Sequence, residues 1–422
     1  MNSPLLLSLT TELYREVLAQ DCHPCDRVIK NYFQKKHFLG KRDRQAISKI
    51  FWHAIRHKSR FEWEVCRNVS TSLSPTISVE TLIVRAYRDL YPSIALPLFK
   101  KKDEIFHAWE RTNTPSLYKE MPPHIRFSLP EWLWLHLSET MDNTTLINLA
   151  QTLLKPAGLH LRVNTLKTSR SALKQTYPDF AFQPGKILPE ALRMVKNIDI
   201  THHPIYRQGL VDIQDEGSQL IARAVNPTVH DVIIDACAGA GGKSLHLAAL
   251  THNKATLIAT DKYPERLIEL MQRSRRADAH ILVMDQKEIF KTRRAQADIL
   301  LLDMPCTGSG TFRRRPDLKW NLSPERLNTF TSLQKKILTE NIPLLKHGGR
   351  LVYATCSILP NENEAQIDYL LKTWPHLKPL SVSHILKTQN IPILSQETPW
   401  FRLLPQDFDT DGYFIGVFQA DT

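Results

Sequence analysis

Apolar residues recur at helical spacing through the first third of the chain. Ile47, Ile50, Phe51, Ala54 and Ile55 fall at i, i+3, i+4, i+7 and i+8, and Val79, Leu82, Ile83, Ala86, Tyr87 and Leu90 repeat the interval. That period places one apolar stripe on each helix. Residues 1–150 are therefore expected to form an all-helical domain, with the proline-rich stretch 113–126 as a connector. Gly40 is the only one of the chain's 14 glycines to precede Gly158. A short α/β piece follows over 151–208, where LHLRVN (159–164) alternates as a strand does and SRSALKQTY follows as a helix. From 209 to 422 the rhythm changes again. Apolar runs VIIDA (232–236), TLIAT (256–260), HILVM (280–284), DILLL (298–302) and RLVYA (350–354) alternate with helical stretches, and GYFIGVF (412–418) supplies a late strand. Short, nearly unbroken runs of Val, Ile and Leu suit strands buried on both faces of a parallel sheet, so this region is read as a doubly wound α/β domain.

The charge balance adds a partner. Lys and Arg total 55 against 43 Asp and Glu, a net charge of +12. Such an excess favours a polyanion, nucleic acid before an acidic membrane. The basic residues cluster at 35–44, at 273–276 and at Arg313, Arg314 and Arg315. Any one cluster is equally a solvated face; together they are expected to form a phosphate-facing surface. No apolar run reaches the roughly 18 residues of a membrane span, so no membrane partner is expected. The start lacks the basic segment of a secretory signal. Six scattered cysteines do not make a disulfide framework, which points to a reducing cytoplasm. CHPC (22–25) has neither a second pair nor histidines at zinc spacing, so no metal is assigned. A monomer is the expected state.

DVIIDACAGAGGKSLHLAAL (231–250) ends its glycine run as a phosphate-binding P-loop does. The P-loop pattern requires glycine at 237, where Cys237 stands, and the dinucleotide fingerprint requires glycine at 244, where Ser244 stands. Both patterns fail, and a P-loop NTPase is set aside. What remains is a glycine turn that lets backbone approach a ligand and a helix start whose free N–H groups suit an anion. Asp261, Asp285 and Asp303 each follow a strand run immediately, at the sheet end where such folds bind ligands. Asp261 lies on the order of 20 residues past the turn, as an acid serving ribose hydroxyls does; Asp285 is placed for an adenine amino group. An adenosine with an anionic tail describes S-adenosylmethionine as well as NAD.

Two cysteines carry the remaining chemistry. Cys306 in LLLDMPCTGSGTFRRRPDLKW (300–320) and Cys356 in GRLVYATCSILPNENEAQI (349–367) each follow a strand run and sit among turn residues. A cysteine is often a plain buried hydrophobe. A pair converging at a ligand-bearing sheet edge is instead a candidate for thiolate nucleophilic chemistry.

These two stretches resemble the paired cysteine motifs of the RNA 5-methylcytosine methyltransferases of the RsmB/Sun/NOP family, and DACAGAGGKS resembles that family's cofactor turn. The likeness extends to LRVN (161–164), VDIQDEGSQL (211–220) and DGYFIGVF (411–418), covering about 155–420. More weakly, KRDRQAISKIFWHAIRHKSRFEW (41–63) and SLPEWLWLHL (128–137) resemble the NusB-like N-terminal domain of the family's bacterial 16S rRNA members. The resemblance implies a class I SAM-dependent methyltransferase with a Rossmann-like domain over 209–422. It implies an RRM-like extension over 151–208 and a NusB-like RNA-binding domain over 1–150. It implies S-adenosyl-L-methionine as cofactor and cytosine C5 in RNA, rRNA before tRNA, as substrate. Cys356 would add to C6 of the base, Cys306 would promote release, and Asp303 would hydrogen-bond the base near N3. Cys237, Ala238, Gly239, Ala240, Gly241, Gly242 and Lys243 would line the cofactor, with Asp261 on its ribose, Asp285 near adenine and Asp303 close to its methionine end. A flipped-out base needs its flanking phosphates held; Arg313, Arg314, Arg315 and Lys319 are expected there. The family usually has alanine at Gly239, proline at Ala240 and alanine at Met304. A noncatalytic RNA-binding assembly factor on the same fold is the competing reading; it does not need the cysteines.

Overall fold

The structure, a computed structural model, describes residues 3–20, 25–66, 77–93, 120–196, 198–393 and 396–421. Cys22 of the Cys-x-x-Cys pair and residues 113–119 of the connector 113–126 lie outside the described residues. Two compact units divide the chain: Met1–Leu154 with Arg315–Asn321, and Lys155–Arg314 with Leu322–Thr422.

The first unit is helical. Helices Ser3–Leu18, Cys25–Lys35, Lys41–Arg56, Lys58–Cys66 and Val79–Leu90 enclose a core that includes Leu7, Leu13, Tyr32, Phe61 and Ile83. The predicted stripe Ile47, Ile50, Phe51, Ala54 and Ile55 is buried in it, and so are Leu82, Ala86 and Tyr87. The last carbonyls of a helix have no partner within it and must find one elsewhere. Here the segment Arg315–Asn321, far downstream in the chain, supplies two: Lys319 Nζ donates to Arg56 O and Trp320 Nε1 to Ile55 O, each at 2.8 Å. Lys319 is 1% exposed, and burial, with Arg56 adding to it, pushes its ammonium well below the ordinary value. Arg315 pairs with Asp26 and Asp317. The structure thus corrects the expectation that Arg315 and Lys319 face phosphate: both side chains are used within the helical unit.

In the second unit a small antiparallel sheet has the order β2-β3-β1-β4, formed by β1 (His160–Val163), β2 (Phe182–Pro184), β3 (Ala191–Met194) and β4 (Val211–Ile213). Leu161, Val163, Leu192, Ile205 and Val211 are among the residues of its core. The large sheet has the order β10-β12-β9-β8-β5-β6-β7. Its strands are β5 (Val232–Asp235), β6 (Thr256–Ala259), β7 (Leu282–Val283), β8 (Ala297–Asp303), β9 (Leu345–Thr355), β10 (Leu377–Leu380), β11 (Phe401–Leu403) and β12 (Tyr413–Ala420), with β11 pairing β12 off the main path. β5 to β9 are mutually parallel, whereas β12 runs antiparallel to β9. The expected run 280–284 shrinks to two residues because β7 is an edge strand, with Leu282 nearly half exposed. From β5 the chain builds outward through β6 and β7, then returns to build β8 and β9 on the other side. The reversal between β5 and β8 is the switch point where such sheets bind ligands.

Replacing Trp320 with Phe keeps the ring and leaves the Ile55 carbonyl without its donor. A loss of about 1–2 kcal/mol in the stability of the helical unit is expected, measured as a lowered denaturant midpoint.

Candidate active site

β5 ends at Asp235, and the chain turns back before the helix Gly242–Leu250 begins. The turn needs left-handed backbone at Gly239 (φ +53°) and Gly241 (φ +83°), which glycine adopts without steric cost. No atom lies within 4 Å of where a Cβ on Gly239 would stand, whereas one on Gly241 would fall 2.6 Å from Leu270 Cγ. Gly239 thus faces open space and Gly241 is pressed on the helix Pro264–Ala277. Asp261, just past β6, ties the turn down: its carboxylate accepts from Gly239 N at 2.8 Å and from Tyr263 N at 2.9 Å. Arg273 Nη1 donates to Ala240 O at 2.7 Å.

Beside the turn lies a cavity of about 750 Å³. Residues 237–240, Gly242 and Lys243 border it, and so do Asp261, Asp303, Cys306 and Cys356. Gly241 and Asp285 do not. Asp285 is exposed, and its side chain caps the helix Gln286–Thr292 by accepting from Lys287 N at 2.8 Å; its neighbour Gln286 reaches the cavity instead. Phe330, Leu333 and Ile337, at i, i+3 and i+7 on the helix Pro324–Asn341, add an apolar wall. The sequence reading missed that wall, although its spacing was visible.

Several charged groups border this cavity. Lys243 Nζ pairs with Asp303; burial works against the Lys243 ammonium, but Asp303 outweighs it and holds the group above its ordinary value, with Cys356 contributing in the same direction. Asp235, 1% exposed, accepts from Ser244 Oγ at 2.6 Å, while its Oδ1 has no hydrogen-bond partner. Burial, reinforced by Asp303, pushes its carboxyl up to about 7. Asp235 too went unnoticed in the sequence, where it reads as the last residue of an apolar strand. Burial and the nearby carboxylates raise the Cys237 thiol well above its ordinary value, which leaves it a poor nucleophile.

β8 and β9 are parallel neighbours with Asp303 opposite Ala354, so Cys306 and Cys356 emerge side by side. Their sulfurs are 3.3 Å apart. Around them the two loops are laced together: Gly310 N donates to Cys356 O at 2.9 Å, Ser309 and Ser357 share a hydroxyl contact at 2.9 Å, and Ile358 N donates to Ser309 Oγ at 2.9 Å. Thr355 Oγ1 donates to Asn363 Oδ1 at 2.6 Å. Glu362 is fully buried and accepts from Thr307 N at 2.8 Å and Thr307 Oγ1 at 2.6 Å. Asn363 and Glu362 were read only as part of a motif; Asn363 fixes the Cys356 loop through Thr355 and Ser357, and Glu362 holds the loop of the other cysteine.

Arg313 is a second correction, whereas Arg314 is exposed though paired. Arg313 is 3% exposed and pairs with Asp409 at 2.6 Å, and Arg314 pairs with Asp411 at 2.9 Å and Asp215 at 3.2 Å. Basic residues in sequence do not declare their partners, and these are carboxylates of the same unit.

The sheet order, the glycine turn after β5 and the cavity at the switch point define a Rossmann-like, doubly wound domain with the fold of the class I S-adenosylmethionine-dependent methyltransferases. Residues 222–419 match the family described as 16S rRNA methyltransferase RsmB/F, and over this domain the chain is similar to that family. Over 295 residues the chain is 33% identical to the probable ribosomal RNA small subunit methyltransferase B of Bacillus subtilis, covering 68% of this chain and 65% of that relative. The chain therefore spans just under two thirds of the length of this curated relative. Its fold is similar to the crystal structure of PH0851, with a TM-score of 0.75 at 20% identity over 100% of this chain and 99% of that one. It is also similar to a methyltransferase homolog protein from Pyrococcus horikoshii, with a TM-score of 0.59 at 26% identity over 73% of this chain and 100% of that one. No helix among the described residues is long and apolar enough to cross a membrane. Among the same residues, no group of three or more His, Cys, Asp or Glu is placed to hold a metal ion.

Asp235 makes stability depend on pH. Its folded value lies above that of an exposed carboxyl, so folding favours the protonated form. The stabilisation is complete below about pH 4 and is lost as pH rises to about 7. Asp235→Asn should remove this contribution, flattening the change in melting temperature between pH 4 and pH 8 relative to wild type.

Proposed function

We propose that this protein methylates C5 of a cytosine in RNA, in small-subunit ribosomal RNA, with S-adenosyl-L-methionine as donor and through a covalent bond between Cys356 and C6 of the base. The observation that carries the reading is the 3.3 Å approach of the Cys306 and Cys356 sulfurs at the border of the cavity that the glycine turn and the Lys243–Asp303 pair also border. The family match and the name of the Bacillus subtilis relative support ribosomal RNA as the substrate. The net charge of +12 suits a polyanion, and the helical residues 1–150 are read as the RNA-binding domain.

The residues present fit the donor. Gly239 leaves room at the turn, the start of the helix Gly242–Leu250 offers free N–H groups, and Asp235 Oδ1 is a buried acceptor without a partner beside the cavity. Each Asp261 oxygen accepts one main-chain bond and keeps capacity for a ribose hydroxyl. Phe330, Leu333 and Ile337 offer a face to a flat ring. When bound, the donor supplies an electrophilic methyl group.

The protein's own part begins with a base held out of its stack. C5 of cytosine is a weak nucleophile. A Cys356 thiolate adding to C6 breaks the ring's aromaticity and makes C5 enamine-like. Asp303, with Lys243 beside it, hydrogen-bonds the base near N3 and stabilises charge developing on the ring. After methylation the C5 proton passes to water, its bonding pair re-forms the C5–C6 double bond, and Cys356 leaves with the C6–sulfur pair, Cys306 promoting that elimination as the ring recovers its aromaticity.

Cys356→Ala should abolish incorporation of labelled methyl into small-subunit rRNA with the melting temperature preserved. Cys306→Ala should accumulate a covalent protein–RNA adduct on denaturing gels, and an adduct-free result would reverse the assigned roles. Asp261→Ala should weaken S-adenosyl-L-methionine binding at least about tenfold, roughly 1.4 kcal/mol, by calorimetry.

A further inference from the structure

Two thiols 3.3 Å apart do not both ionise, because like charges at that separation repel strongly. Something must select which sulfur carries the charge, and the two sulfurs have different neighbours. On the Cys356 side stands the Lys243 ammonium, paired with Asp303, and the charge state of Cys356 is felt at Lys243. Tyr413 of β12 also faces Cys356. On the Cys306 side stand Tyr353 of β9 and the Glu362 carboxylate.

Glu362 is 0% exposed and lies in the turn just after the Cys356 loop, yet it is committed to the other loop. Thr307 N and Thr307 Oγ1 donate to its two oxygens at 2.8 and 2.6 Å, and Gln334 Nε2 donates at 3.2 Å. The same Gln334 amide donates to Pro305 O at 3.1 Å. Both neighbours of Cys306 are therefore clamped by one buried carboxylate and the glutamine beside it. Tyr353 OH holds the Glu362 carbonyl at 2.5 Å, fixing the clamp to β9.

We propose that Glu362 is a positioning residue for the sulfur pair: its buried carboxylate clamps the Cys306 loop and, by its charge, directs ionisation to Cys356. The inference rests on the reading of Cys356 as the nucleophile and supplies the reason that Cys306 is not. The Cys306 thiol is pushed well above its ordinary value by its hydrogen bond to Cys356, then by burial, with the Cys356 and Glu362 charges adding to the rise. Cys306 thus keeps its proton 3.3 Å from the Cys356 sulfur.

Glu362→Gln tests this with little change of shape. The amide oxygen keeps Thr307 N and Gln334, the amide nitrogen meets the Thr307 hydroxyl, which turns to accept, and the charge is gone. Full-length protein would be treated briefly with iodoacetamide across pH 6 to 10 and each cysteine read by peptide mass spectrometry. Wild type should alkylate Cys356 before Cys306 at every pH. In a Cys356→Ser background, adding Glu362→Gln should lower the midpoint of Cys306 alkylation by about one pH unit, and Glu362→Asp, which keeps the charge, should restore it. An unshifted midpoint, an equal shift in the aspartate variant, or Cys306 reacting first in wild type would overturn the proposal. The wild-type order decides the matter even where a variant does not fold. No RNA or methyl donor enters the assay, so absence of methyl transfer would remove the proposed function without touching this result.

Discussion

The parallel ladder between β8 and β9 brings Asp303 level with Ala354, and one further bond, Met304 N to Ala354 O at 2.8 Å, carries the pairing past the end of β8. Cys306 and Cys356 follow immediately on the two strands. Strand register therefore sets the distance between the sulfurs, and a slip of one residue would turn every side chain of β8 to the opposite face. Beyond the ladder, the main-chain bond from Gly310 N to Cys356 O is joined by side-chain bonds, Ser309 to Ser357 and Glu362 to Thr307. Gly310 allows the closest approach, since a Cβ there would stand 2.2 Å from Gly412 O. The two loops have one shared geometry rather than two independent ones.

That geometry keeps several polar groups away from water, which is costly unless each has a partner. Glu362 receives three donors and Lys243 has Asp303. Asp235 departs from this pattern, with one oxygen unpartnered and its carboxyl raised to about 7. A buried group left incomplete at a cavity wall is where a ligand has most to contribute. The basic residues near 313 show the opposite case. Arg313, buried, is paired with Asp409 inside the fold, and Arg314, exposed, is paired with Asp411 and Asp215.

Much of this was legible in the chain. Helical spacing around Phe51 and the apolar runs ending at Asp235 and Asp303 report burial, and burial is a local property of each side chain's chemistry. The glycine turn was legible because positive φ at Gly239 and Gly241 restricts residue type. The cysteines stood out because each followed a strand run. Expectation and structure parted where the answer depended on a distant partner. Lys319 reaches Arg56, and Glu362 clamps Thr307. The short strands β10 and β11 also went unread, having too few residues to show a period.

Residue order alone settled the longer helices and strands, where the turn must be glycine and which side chains have reactive chemistry, because these follow from spacing and from the atoms each residue carries. Tertiary structure decided which charges are spent on one another and which face the cavity, because an ion pair or a buried hydrogen bond forms between neighbours in space. The chain brings those neighbours together only once β8 lies beside β9.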